Sequence, residues 1–154
     1  MTNEELKALI QDWVPDLEFT EDSKEFVTVV VPRGSLRDFL RKLKTDERTR
    51  LDYLFCLTGV DYPDYLEVVY HLESTTLHHR LVVKARTQDR ADHAVLDTVS
   101  DLYRTAEFHE REVYDLLGVR FTGHPDLRRL FLTDDWVGHP LRKDYTDEAN
   151  IINR

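Results

Sequence analysis

Two copies of one short unit stand out among the residues able to do chemistry, Gly123-His124-Pro125 and Gly138-His139-Pro140. With Asp126, Asp134 and Asp135 between them, they offer the imidazole and carboxylate ligands that a metal-dependent hydrolase gathers in a folded-back segment. A conformational reading competes with this one. Glycine supplies an unusual backbone angle, proline fixes the next, and each histidine packs or hydrogen-bonds beside its turn. The remaining candidates fail on spacing. His78 and His79 are adjacent, so on a strand they point to opposite faces. His109-Glu110 opens like the H-E-x-x-H zinc signature, but Val113 stands where the second histidine belongs. Glu110 and Glu112 are two apart on a helix, which separates them too far for an acid/base pair. Cys56 is the single cysteine; iron–sulfur clusters take four thiolates, and within YLFCLTG the residue reads as core packing. Nucleotide loops and the nucleophile elbow are absent from the sequence.

The stretch carrying both units, Glu110 to Tyr145, changes texture halfway. Glu107, Arg111 and Asp115 are spaced four apart, so two ion pairs worth ~0.2–0.5 kcal/mol each can form on one helix face. Alternatively Arg111 orders the chain that follows. Gly118 suits a left-handed C-terminal cap. Residues 118–145 hold three of the five glycines and two of the five prolines, and show neither helix period nor strand alternation. Loops longer than ~12–15 residues are often functional, and this one carries too many large apolar side chains for a solvated linker. It reads as an extended arm, residues 119–154, appended to a domain of residues 1–118 and built to lie on a partner. Arginine grips carboxylates at two points and tryptophan anchors interfaces, so Arg128, Arg129 and Trp136 are expected to dock rather than to hold the fold. Arg111, His124, Phe131, His139, Arg142, Lys143 and Tyr145 complete the candidate docking set. The rival is an arm that folds back on residues 1–118 through the same side chains.

The elements ahead of the arm follow from periodicity. Thr2 and Glu5 are spaced for a capping box; Leu6, Leu9, Ile10 and Trp13 mark a helix that Pro15 stops. Leu17–Thr20 and Phe26–Val31 read as strands around the turn EDSKE. Ser35 is placed to cap a helix with Leu36, Phe39, Leu40 and Leu43 on one face. Tyr53–Val60 is a strand, and Leu66–Leu72 and Leu81–Ala85 alternate as a hairpin around Glu73–Thr76. A third helix is expected from Asp89, showing Val95, Val99, Leu102 and Tyr103 on one side, with a break at Thr105 before the ERE helix. Leu54, Leu57, Val68, Val83, Val99 and Leu102 form the expected core. The class is α+β, a mostly antiparallel sheet with helices on one face, followed by the extended C-terminal arm. The net charge of −9 opposes nucleic-acid binding, which needs a basic face. Residues 33–50 carry seven bases against three acids, either a solvated helix face or a surface for an acidic partner. No apolar run approaches the ~18 residues of a membrane span, and the acidic N-terminus is unlike a signal peptide.

The run Glu110-Arg111-Glu112, Tyr114-Asp115, GHPDLRRL, DDW, GHPL and RKDY resembles the C subunit of the proton-pumping NADH:quinone oxidoreductase, respiratory complex I. One departure is Phe108, where that family usually has tryptophan. The resemblance implies a non-catalytic structural subunit in the peripheral, cytoplasm-facing arm of the membrane complex. That complex passes electrons from NADH through FMN and iron–sulfur centres, all held by other subunits, to quinone, coupled to proton translocation. It implies packing chiefly against the D subunit and the subunits near the quinone-side cluster, with the membrane reached only through them. Related hydrogenase and F420H2 dehydrogenase complexes contain a similar subunit, which stands as the alternative; a free-standing metal hydrolase is the alternative of a different class.

Overall fold

A computed structural model describes residues 1–21 and 25–147. The elements run α1 (Asn3–Trp13), β1 (Glu18–Thr20), β2 (Val27–Val30), α2 (Leu36–Thr45), β3 (Tyr53–Asp61), β4 (Leu66–Glu73), β5 (Arg80–Arg86), β6 (Val95–Asp97), α3 (Ala106–Leu117) and β7 (Arg120–Thr122). The expected EDSKE turn and the last residues of the arm lie partly outside the described residues.

Helix α1 starts on the capping box read from its sequence. Thr2 Oγ1 accepts the Glu5 N–H at 3.2 Å and the Glu5 carboxylate takes the Thr2 N–H at 2.8 Å. In α2 the spacing of Leu36, Phe39, Leu40 and Leu43 buries all four, but Ser35 makes no side-chain cap. A short 3-10 turn, Arg33–Ser35, feeds the helix instead. The basic stretch is occupied within the chain: Arg37 grips Asp101, Arg48 grips Asp46, and Lys42 lies 4.3 Å from the Trp13 ring centre. The solvated-face reading fits those contacts.

Five strands form one sheet in the order β1-β2-β5-β4-β3. Three pairings are antiparallel, and β2 runs parallel to β5. Alternation sends Val29, Val83, Tyr70 and Leu57 to one face, where they join residues of α1, α2 and α3 in a single core cluster. The class is α+β, with the helices on one face. Leu54, Leu57, Val68, Val83 and Val99 are buried and Leu102 packs partly buried against them. Cys56 is different: it is half-buried opposite His71. Burial, and secondarily the charge of Glu112, pushes its thiol above the ordinary value.

The helix expected from Asp89 does not form. Asp89 Oδ1 accepts the N–H groups of Ala91 and His93 and closes a local turn, a contact that competes with helix propagation. Val95–Asp97 then pair with Arg120–Thr122 as a parallel two-stranded sheet. Val99 and Tyr103 are buried all the same: the spacing marked an inward set, and long-range pairing set the backbone. The arm therefore begins as a strand of this second sheet.

Helix α3 lies along β3, an edge of the large sheet. Thr105 Oγ1 donates to the Leu54 carbonyl and His109 Nδ1 accepts the Leu57 N–H, so two backbone groups of an otherwise open edge are met. Gly59 permits the approach, since a Cβ there would collide with Leu117 Cδ1.

Candidate functional site

The site is the outer side and C-terminal end of α3 with the segment laid over it. Gly118 ends the helix at φ 82°, its N–H bonded to the carbonyls of Val113 and Tyr114. A side chain there would also meet His139 and Arg142 within 2.6–2.8 Å. A helix end leaves its last carbonyls without partners, and the arm supplies donors for them. Arg129 Nη1 and the His139 ring reach the Asp115 carbonyl at 2.9 and 3.0 Å. The Leu141 N–H bonds Leu116 O at 3.0 Å, and Arg142 Nε bonds Leu117 O at 2.6 Å. Cationic side chains at this end also complement the helix dipole.

The centre of the clamp is Asp115, fully buried. One carboxylate oxygen accepts three successive backbone N–H groups, of Leu130, Phe131 and Leu132, at 3.1, 2.7 and 3.0 Å. The other accepts Arg129 at 2.8 Å. Burial pushes this carboxyl up, but Arg129 and the three amides outweigh it and hold it below the ordinary value. Arg129 continues to the carbonyls of Trp136 and Gly138, both at 2.9 Å, so one fork ties the helix to two places in the arm. Arg111 donates to the carbonyls of Arg128 and Arg129. Of the two readings of Arg111, the geometry matches the ordering of the following chain, because Asp115 is taken by Arg129.

A second fastening lies at the far end. Asp61, buried at the end of β3, is gripped by both ends of Arg90 at 2.8 Å and accepts the Lys143 N–H at 2.8 Å. Burial opposes its ionisation, yet Arg90 and that amide hold its carboxyl below the usual value.

The candidate docking residues thus divide. Arg111, Arg129, His139 and Arg142 face the body and seat the arm, contrary to the expectation that Arg129 lies free of the fold. His124 is enclosed: its Nε2 lies 2.9 Å from the Glu107 carbonyl, and its Nδ1 accepts the Asp126 N–H at 3.0 Å. The two GHP histidines therefore serve different carbonyls of α3. Among the described residues no group of three or more His, Cys, Asp or Glu is placed to hold a metal. Trp136 is half-buried, and Tyr145 packs over Gly138, where a Cβ would come within 3.0 Å of its ring. Arg128 is exposed and pairs with Asp126, and the Lys143 side chain is exposed. Phe131 is 65% exposed, and three residues that spacing did not single out share that character: Phe108 at 56%, Val137 at 87% and Leu141 at 60%. Sequence reasoning also missed Asp115 and Asp61 as anchors. The partners of Asp115 stand 14 to 17 residues away and those of Asp61 29 and 82, beyond any local spacing rule.

Residues 29–150 match the family model described as the 30 kDa subunit of the respiratory-chain NADH dehydrogenase. The C subunit of NADH-quinone oxidoreductase from Geobacter sulfurreducens is 49% identical over 134 residues, covering 80% of this chain and 78% of that one. The C/D subunit of the same enzyme from Phocaeicola vulgatus is 49% identical over 125 residues, 80% of this chain. This chain spans 24% of that longer relative. Among solved structures, a chain of the membrane-bound sulfane sulfur reductase, an archaeal respiratory membrane complex, superimposes with a TM-score of 0.76 at 32% identity, covering 95% of this chain and 86% of that one. The trypsin-resistant fragment of Nqo5 gives 0.69 at 28% identity, covering 82% of this chain and 100% of that one.

Proposed function

The chain belongs to the family of the 30 kDa subunit of the respiratory-chain NADH dehydrogenase, and from that membership we propose that it is a non-catalytic docking subunit of NADH:quinone oxidoreductase. In this reading the complex carries electrons from NADH through FMN and iron–sulfur centres of other subunits to quinone, coupled to proton translocation. The chain sits in the peripheral arm on the cytoplasmic face and meets the membrane through its partners. No described helix is long and apolar enough to cross a bilayer.

The observation that carries the proposal is a division of labour in the arm. Arg129, His139 and Arg142 turn inward onto α3, and large apolar side chains are left outside: Phe131, Val137 and Leu141, with Phe108 on the helix itself. Exposed apolar groups held on a fixed backbone mark an interaction surface, and fixing them beforehand lowers the entropic cost of docking. The D subunit is the proposed partner, which the C/D form of the relatives supports. Arg128 and Lys143 are rim charges in this arrangement and Trp136 backs the surface.

The test is co-expression with the D subunit. The variant Phe131→Asp with Leu141→Asp is expected to melt like the wild-type chain and to fail to co-purify with that partner. Undiminished co-purification contradicts the docking reading. A chain that binds one flavin or one iron–sulfur centre per molecule contradicts the non-catalytic one.

A further inference from the structure

Glu110 stands near the other end of α3, also fully enclosed. Its Oε1 accepts the Val99 N–H at 2.8 Å, and its Oε2 lies 2.5 Å from Thr98 Oγ1. That hydroxyl lies 2.9 Å from Ser100 Oγ and accepts the Ser100 N–H at 3.2 Å. The charged groups around the carboxyl do not neutralise it. From α2, Arg37 turns to the Thr98 carbonyl and to both oxygens of Asp101, and Asp101 opposes a second negative charge. Asp97 adds another acid at the end of β6. From β4, Tyr70 brings a buried phenol whose own ionisation is suppressed, first by burial and then by Glu110 and Asp97.

From the arm, His124 Nε2 lies 3.8 Å from Oε2. Because Nδ1 accepts the Asp126 N–H, the ring proton is on Nε2 and points to the Glu107 carbonyl, so this histidine is no counter-ion. A carboxylate enclosed this way loses its hydration and gains no ion pair. Burial raises the group to about 7, against the opposing hydrogen bonds from Thr98 and Val99.

We propose that Glu110 is a proton-linked pin that locks the Thr98–Ser100 loop to α3 and lets it loosen when the proton leaves. In the protonated form Oε2–H donates to Thr98 Oγ1, and the Thr98 hydroxyl donates onward to Ser100 Oγ, so both carboxyl oxygens and the Thr98 hydroxyl have partners. When the proton passes to bulk water, the carboxylate needs solvation that its two donors do not provide. Water is at hand in an open cleft of about 590 Å³ lined by Arg37, Thr98, Ser100, Asp101, Gly123 and Pro125. The Thr98 N–H bonds the Thr122 carbonyl, and Thr122 leads into the first GHP turn, so loosening of the loop reaches the root of the arm. The device depends on contacts within the chain and stands apart from the docking reading.

The test uses the full chain with ¹³C-labelled glutamate, followed by side-chain carboxyl shifts and amide exchange. One carboxyl is expected to titrate near neutrality and to vanish in Glu110→Gln. Exchange at Val99 and Asp126, corrected for its intrinsic pH dependence, is expected to quicken about tenfold per pH unit between the ordinary carboxyl range and the midpoint and to level above it, since the proton held in the closed state is lost on opening over that window. It is expected to stay level in Glu110→Gln. A Glu110 carboxyl that titrates in the ordinary range, or wild-type exchange that ignores pH, overturns the proposal. If the glutamine variant does not fold, the through-bond assignment of the wild-type signal decides the matter alone.

Discussion

Glu110 and Asp115 lie on one helix, both fully buried, and their carboxyl groups are pushed in opposite directions. Burial acts upward on each. Asp115 has Arg129 and three amides aimed at it, while Glu110 accepts from one amide and one hydroxyl, and its nearby cation, Arg37, is bonded to Asp101. The supply of donors therefore decides which group is charged. The difference separates two kinds of joint: the arm is clamped by a fixed charge, and the loop ahead of the helix is held by a group that titrates.

The largest effect expected comes from breaking the charged joint. Asp115→Ala leaves Arg129, with 12% of its side chain exposed, and three amides without their acceptor. Removing one partner of a buried pair typically costs ~3–5 kcal/mol. Denaturant unfolding, read together with amide exchange in residues 128–142, is expected to report that loss as release of the arm. A change under about 0.5 kcal/mol, the size of an ordinary surface substitution, argues against the clamp. Gly118→Ala ranks next. The left-handed angle alone costs ~1–2 kcal/mol for a residue with a Cβ, and the contacts with His139 and Arg142 add to it. Thermal melting checks this, and an unchanged midpoint contradicts it.

Acidity separates the joints by sign. The folded values of Asp115 and Asp61 lie below the ordinary one, so their stabilisation is complete above the ordinary carboxylate range and is lost as pH falls through the depressed values. The folded value of Glu110 lies above the ordinary one, so its contribution declines as pH rises from the ordinary value to about 7 and then levels. Stability measured against pH is expected to show both limbs, with the second flattened in Glu110→Gln. The smallest effect on the isolated chain is expected for Phe131→Asp, within about 0.5 kcal/mol, with the expected loss falling instead on binding to the proposed partner, the D subunit.

Local rules reached much of this fold. The Thr2–Glu5 cap, the α2 face and the alternation in β4 and β5 were legible because each depends on neighbours within four residues or on a strict period. The segment from Asp89 reads as a helix because Val99 and Tyr103 are inward in either backbone, whereas pairing with Arg120–Thr122 makes Val95–Asp97 a strand that sends Leu96, and not Val95, into the core. In the site, Arg111 and Asp115 carried a legible spacing, but Arg129 competes for Asp115 from outside the helix. The exposed apolar residues of the arm, Phe131, Val137 and Leu141, have no period, because turns rather than a regular element present them.

Amide exchange on the free chain, with the D subunit left out, tests the central claim that the arm is built onto α3 before it meets a partner. The N–H groups of Leu130, Phe131 and Leu132 all end on Asp115. The account predicts that they are protected in the wild-type chain and lose that protection in Asp115→Ala. Rapid exchange at these three amides in the free wild-type chain, slowed only when the D subunit is added, would mean that the partner and not the helix orders the arm.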